Sequence, residues 1–272
     1  MGEELDDSLI IQVGELTENV KNEIQDYVTI FSVGLFGHTE QRGYYYAGSG
    51  TLVQVDPFRY ILTAAHVWET IQEAQTACLS LTTSPSLFER PRASLEPFVL
   101  RGQEEEWGPD LAFLRLPEPF CEDITAHSNK AFYNLSSRRE VLLGNVIPKD
   151  MGVWGVVGAP AQQCEFNESQ ARLNVIVSLG GQPQITVKDG FDYYDSEVNY
   201  ADAVNVPINF GGVSGGGIWH FALGMKDKKV QVISKVLAGV VFYQSPIKKN
   251  KRRLRGHGIE SIYRHGINHL LS

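Results

Sequence analysis

The chain has 272 residues, enough to bury a sizeable core as one large domain or as two halves that share a cleft. Its apolar fraction of 43% and charged fraction of 21% are those of an ordinary globular protein, and no stretch approaches the roughly 20 uncharged apolar residues that a membrane-crossing helix needs. The net charge of −8 falls almost wholly in residues 1–26, where eight acids face one lysine; the near-neutral remainder gives no general reason to expect a nucleic acid as partner.

The N-terminus, MGEELDDSLIIQ, is acidic where a secretory leader would be basic and then apolar. Cys78, Cys121 and Cys164 are widely spaced and form no metal-like doublet, which suits a reducing compartment without structural disulfides. The expectation is a cytoplasmic protein.

Residues 1–27 read as an acidic N-terminal segment, a short helix or arm that alternates poorly. From residue 28 the pattern turns to β. YVTIFSVGLF, YYYAGSGTLVQV, YILTAAHV and DLAFLRL are short runs rich in Val, Ile, Tyr and Phe, broken by Gly, Pro and polar turns. The Pro-rich stretch 85–97 and the EEE run at 104–106 read as surface loops. A second set of strand-like runs follows in residues 141–272: MGVWGVVGA, ARLNVIVSL, PQITVK, GGIWHFAL, KVQVISKVLAGVVFYQ and GIESIY. Helical periodicity appears only at the end, in SIYRHGINHLL. The fold class is therefore all-β, in two halves of residues 28–140 and 141–272, each a barrel or sandwich, with a C-terminal helix.

KKNKRRLR at 248–255 concentrates six positive charges. Its plain reading is a solvated loop, and its functional one a patch for an acidic partner. His265 and His269 are four apart on the terminal helix, a zinc-compatible spacing, but no nearby Cys or acid supplies further ligands, so no metal is expected. The Gly-rich motif at 211–217 lacks the GK[ST] of a phosphate loop, and no cofactor is expected either.

The segment NFGGVSGGGIW, residues 209–219, sets Ser214 among five glycines. Glycine loses more conformational freedom on folding than any other residue, so so dense a cluster implies unusual dihedrals or a close approach to the backbone. A serine hydroxyl is a weak nucleophile, and chemistry at Ser214 would need a base and a third group to orient that base. Of the seven histidines, His66 ends the strand-like YILTAAH behind the small pair Ala64-Ala65; among the carboxylates, Asp110 is the first polar residue before an apolar strand. Taken singly, His66 reads as a satisfied core group and Asp110 as a strand-end cap.

Together, TAAH at 63–66, DLAFLRL at 110–116 and GVSGG at 212–216 resemble the signatures of the trypsin-like (chymotrypsin-fold) serine peptidases, in the family order His, Asp, Ser and at similar spacings of 44 and 104 residues. GSGTLVQV and WGVVGAP are similar to strands of the family's first and second barrels, so that the resemblance runs from about residue 28 to the C-terminus. It implies two six-stranded antiparallel β-barrels. It also implies a catalytic triad of His66, Asp110 and Ser214, with the backbone N–H groups of Gly212 and Ser214 forming the oxyanion hole. The implied activity is that of a serine endopeptidase of the intracellular bacterial type, acting on polypeptides through an acyl-enzyme and held in check by a regulatory or activating protein or by its own N-terminal segment. The alternative is a catalytically weak module that keeps the fold and captures a peptide or partner.

Departures from the family pattern sharpen this picture. Val67 follows His66 where many secreted members have a disulfide-bonded cysteine, and Val213 stands where members activated by propeptide cleavage have an aspartate. By register, Ile208 occupies the position of the acid that attracts basic side chains in trypsin. Phe242, Tyr243 and Gln244 align with the strand on which the family lays its substrate, with Gln244 at a position that is glycine in open-pocket members. The resemblance thus implies a narrowed pocket for a small or medium side chain, bordered by the basic run.

Overall fold

The runs rich in β-branched and aromatic residues fold as strands. The computed structural model describes residues 16–81, 86–144, 152–167, 170–201, 206–227 and 229–272; the first fifteen residues of the acidic segment lie outside the described residues. The first sheet holds β1 (Ser32–Thr39), β2 (Gly43–Val55), β3 (Phe58–Thr63), β4 (Thr76–Ser80), β5 (Leu87–Pro91), β6 (Glu96–Glu104), β7 (Gly108–Arg115) and the two-residue β8 (Tyr133–Asn134). Its order is β5-β4-β1-β2-β3-β7-β6, antiparallel throughout except where β8 lies parallel to β2. The second holds β9 (Val153–Gly158), β12 (Ile176–Gly180), β13 (Gln184–Lys188), β14 (Phe191–Asn199), β15 (Gly217–Lys226), β16 (Lys229–Gln244) and β17 (Lys251–His257), in the order β12-β9-β15-β16-β17-β14-β13. A small hairpin of β10 (Cys164–Phe166) and β11 (Ala171–Leu173) stands apart.

The all-β architecture with two antiparallel sheets and a terminal helix is thus the one expected, but among the described residues the sheets carry eight and seven strands, not six each. The Pro-rich stretch 85–97 accounts for part of the difference. It is not all loop, because it contains β5 and the start of β6, and both are edge strands, where a missing proline N–H costs no ladder bond.

Strands β3 and β7 are buried on both faces, which explains their unbroken apolar sequences. Ile61, Ala112 and Leu114 face a core that also takes in Val67, Ile71 and Leu79, while Leu62, Leu111 and Phe113 face the larger core shared with the second sheet. Successive side chains alternate across a strand, so one short segment can serve two cores. The terminal helix joins the same packing. Its first part, Glu260–Gly266, is π-helical and continues into a short α-helix at Ile267–Leu271, and the Tyr263 hydroxyl donates to the Leu237 carbonyl at 2.7 Å.

Of its two readings, helix or arm, the described part of the acidic segment takes the first. Glu18–Thr29 is an α-helix, α1, capped by Thr17, whose hydroxyl accepts from the Val20 N–H at 3.4 Å. Leu16, Val20, Ile24 and Val28 are buried at four-residue intervals, and Tyr27 and Phe31 pack on Trp219. The acids point outward, with Glu23 paired to Lys235 of β16. Lys130, buried behind this helix, donates to the carbonyls of Thr29 and Ser32 at 2.6 and 2.7 Å, and burial pushes its ammonium group down to about 7. From residue 16 onward the segment is therefore part of the core and not an arm. No helix among the described residues is long and apolar enough to cross a membrane.

Candidate active site

Strand β3 ends at Thr63, and the chain turns at Ala64 directly into the short helix α2 (Ala65–Ile71). Ala64 has no side chain with which to cap that helix. Asp110, on β7, does the work: its Oδ1 accepts from the His66 backbone N–H at 3.0 Å, and its Oδ2 accepts from His66 Nδ1 at 2.8 Å. One carboxylate thereby fixes both the main chain and the ring of His66. Where Nδ1 donates to the carboxylate, the neutral ring leaves the lone pair on Nε2, which makes no hydrogen bond to any described residue. The His66 side chain is 34% exposed, whereas that of Asp110 is 3% exposed.

Two further groups fasten Asp110, and neither was singled out from the sequence. Arg101 lies directly opposite it in the β6–β7 ladder and donates from Nη1 to Oδ2 at 2.6 Å, while its Nε pairs with Glu69 of α2 at 3.1 Å. The Asp110 backbone N–H donates to His257 Nε2 at 2.8 Å. Burial alone would raise the Asp110 carboxyl, but the hydrogen bonds from His66 and the charge of Arg101 outweigh it and hold the carboxyl below its ordinary value. His257 is fully buried against Phe242, stacked at 4.6 Å between ring centroids. That burial pushes its imidazole down to about 3 despite the attraction of Asp110.

Ser214 lies on a turn laced to both sheets. Its carbonyl accepts from the Ser49 N–H at 2.8 Å, and the next residue, Gly215, donates to the Val241 carbonyl at 2.7 Å. A Cβ placed on Gly48 of β2 would lie 2.7 Å from the Val67 side chain and 3.0 Å from the Ser214 carbonyl, so the segments bearing His66 and Ser214 close on one point of that strand. The two side chains are not joined: Ser214 Oγ donates to the Phe242 carbonyl at 3.5 Å, and no hydrogen bond between described residues links it to His66.

The glycines around Ser214 now have a physical reason. Gly212 has φ +94° and sits 2.6 to 2.9 Å, measured from an added Cβ, from the Tyr46 ring, the Ala161 nitrogen and the Ala159 carbonyl; Gly215 has φ +86° and would strike Ser49 and Thr63. The Gly212 carbonyl is drawn away from the turn by Ser49 Oγ at 2.8 Å and Tyr46 OH at 3.0 Å. Neither the Gly212 nor the Ser214 N–H donates to a described residue.

The four residues expected to line the substrate pocket are distributed unevenly. Ile208 is 70% exposed, and its carbonyl accepts from Arg252 Nη1 at 2.6 Å. Phe242 turns its ring into the core, so only its backbone borders Ser214. This departs from the expected lining role because the ring is committed to the stack with His257. Tyr243 is half-buried. Gln244 is tied across the front of the turn, with Oε1 accepting from the Phe210 N–H at 3.0 Å and from Arg252 Nη1 at 2.7 Å, and Nε2 donating to Asn209 at 2.7 Å. Strand β15 runs out opposite Val240, which leaves the Phe242–Gln244 edge on that side without a partner strand among the described residues.

The basic run also differs from its plain reading. Residues 251–257 are strand β17, and Arg255, 1% exposed, makes a two-pronged ion pair with Asp195 at 2.7 Å for both contacts. Arg253 pairs with Glu106, and Arg255 Nη1 donates to the Glu106 carbonyl at 3.1 Å. β17 thus grips the turn that precedes Asp110.

Arg101 was legible only in part. The turn at 105–107 marks a hairpin between its two flanks, but counting outward from it pairs 104 with 108 and then 102 with 110; a register shift between Arg101 and Glu104 sets Arg101 opposite Asp110 instead. His257 had no such signal, since its partner lies 147 residues away. No cluster of His, Cys, Asp and Glu among the described residues could hold a metal ion.

No protein-family model and no curated protein matches this chain. Among solved structures it is similar to the active form of the Rv3671c protease from M. tuberculosis, at 14% identity over 89% of this chain and 82% of that one, with a TM-score of 0.45. It is also similar, at 12% identity over 85% of this chain and 88% of that one and a TM-score of 0.44, to a chain in a structure concerned with the coupled folding and binding of the Sesbania mosaic virus VPg protein. Likenesses this distant carry nothing about activity.

Proposed function

We propose that the protein is a serine endopeptidase in which Ser214 attacks a peptide carbonyl, His66 acts as general base and then general acid, and Asp110 orients the imidazole. The observation that carries this reading is the 2.8 Å bond from His66 Nδ1 to Asp110, which leaves Nε2 as a free acceptor near the Ser214 turn. Rotation of the Ser214 hydroxyl from the Phe242 carbonyl toward Nε2 starts the reaction. The hydroxyl proton passes to Nε2, the Oγ–C bond forms, and His66 then returns the proton to the leaving amine as the C–N bond breaks. Water repeats the sequence on the acyl-enzyme. The undonated N–H groups of Gly212 and Ser214 are suited to the oxyanion, and one such donor is worth about 100- to 1,000-fold in rate. The unpartnered Phe242–Gln244 edge offers main-chain groups to an extended polypeptide, and the Gln244 bridge favours a small or medium side chain beside the scissile bond. No cofactor enters the reaction.

A second reading, a peptide-binding or regulatory module with little hydrolysis, is favoured by one observation: Ser214 Oγ bonds to Phe242 and not to His66. A fluorophosphonate probe separates the two. Wild-type protein should be labelled and Ser214→Ala should not, with unchanged thermal unfolding; an unlabelled wild type favours the binding module, and labelling that persists in the variant means another nucleophile.

A further inference from the structure

Asp110 Oδ2 receives two donors at once, His66 Nδ1 at 2.8 Å and Arg101 Nη1 at 2.6 Å. The second is a full positive charge held in place by the β6–β7 register and, through Nε, by Glu69, three residues beyond His66 on α2. The other ionisable group against Asp110 is His257 of β17, which burial keeps neutral. Arg101 and Glu69 are therefore the charges that bias the pair from outside.

We propose that Arg101 is a positioning residue that locks the Asp110 carboxylate in line with His66 and, through its charge, sets the pH range over which the site works. The proposal rests on the triad reading given above. When His66 takes a proton from Ser214, the new imidazolium must share one carboxylate oxygen with a guanidinium. Arg101 opposes that charge, and Glu69 partly cancels the opposition. Both side chains are about one-third exposed, so solvent screens the effect, and it is a tuning of the site and not an on-off switch.

The experiment compares R101Q, R101K and E69Q in the full chain. The first readout is the pH profile of kcat/KM on a peptide that the wild type cleaves. The second is the downfield proton resonance of the His66–Asp110 hydrogen bond, followed against pH in an S214A background. In R101Q, which keeps a donor but loses the charge, the acid limb should move up by about half to one pH unit. In E69Q it should move down by less, and R101K should restore the wild-type profile. The resonance should titrate with the same displacements. An unmoved limb in a folded R101Q, or equal shifts in R101Q and R101K, would overturn the proposal by leaving a structural ion pair only. Should R101Q fail to fold, an E69Q limb that does not move down overturns it. If the wild type cleaves nothing, the triad reading fails by itself, and the resonance in S214A still decides whether Arg101 biases the pair.

Discussion

The two sides of the candidate site are held by different forces. On the first sheet, His66 and Asp110 are fixed by charge-assisted bonds of 2.6 to 3.0 Å, from Arg101 as well as from each other, around a buried carboxylate. On the other side, the Ser214 turn that leads into β15 is fixed by backbone bonds to both sheets and by glycines, while its hydroxyl keeps one long contact of 3.5 Å. The difference fits the proposed function: a buried carboxylate is costly to reorganise, so it would be built in advance, whereas a serine rotor changes wells cheaply.

The largest test of this contrast falls on the rigid side. Asp110→Asn keeps the shape but removes the charge that would stabilise a protonated His66, and its amide group must turn an N–H either toward His66 Nδ1 and Arg101 or toward the His66 backbone N–H. Turnover should fall about 10,000-fold with the fold retained, as measured on a cleaved peptide. A loss under tenfold would mean that the two sides differ in geometry but not in chemical importance.

The sequence made some parts of this contrast readable and hid others. Strands β2, β3 and β7 were visible because their apolar runs are long and bounded by turns, and the Gly-rich setting of Ser214 was visible because glycine at positive φ leaves a mark in the composition. That residues 1–27 could hold a short helix was read, but its place in the core was not, although Leu16, Val20, Ile24 and Val28 recur every four residues, because the acids between them dominate the reading of the segment. The basic run misled in the opposite direction: Arg255 looks like surface and is a buried partner of Asp195. Side chains that meet across two sheets, such as His257 at the Asp110 amide, leave no local trace at all.

His257 supplies the next test, a pH dependence of stability. In the folded protein its imidazole stays neutral down to about 3, while in the unfolded chain it takes up a proton near 6.5. Between these values the unfolded state binds a proton that the folded state refuses, so stability should be complete above pH 6.5 and drain away as the pH falls toward 3. His257→Phe keeps the stack on Phe242 but leaves the Asp110 N–H unpaired. It should cost about 1 to 3 kcal/mol at pH 8 in urea unfolding and show a shallower acid decline than the wild type. An equally steep decline would mean that other groups govern the acid sensitivity of the rigid side.

The smallest effect is expected on the adaptable side. Gln244 reaches across the front of the Ser214 turn, held by Phe210, Asn209 and Arg252. Gln244→Gly removes the bridge without touching the proposed triad, so the change should appear in side-chain preference more than in turnover. On a peptide library, the ratio of kcat/KM for large against small residues beside the scissile bond should rise about tenfold, the scale expected when a pocket gains room for one or two methylene groups. Preference that stays put would locate the selecting wall elsewhere along the Phe242–Gln244 edge. The adaptability of this side would then lie in the Ser214 hydroxyl alone.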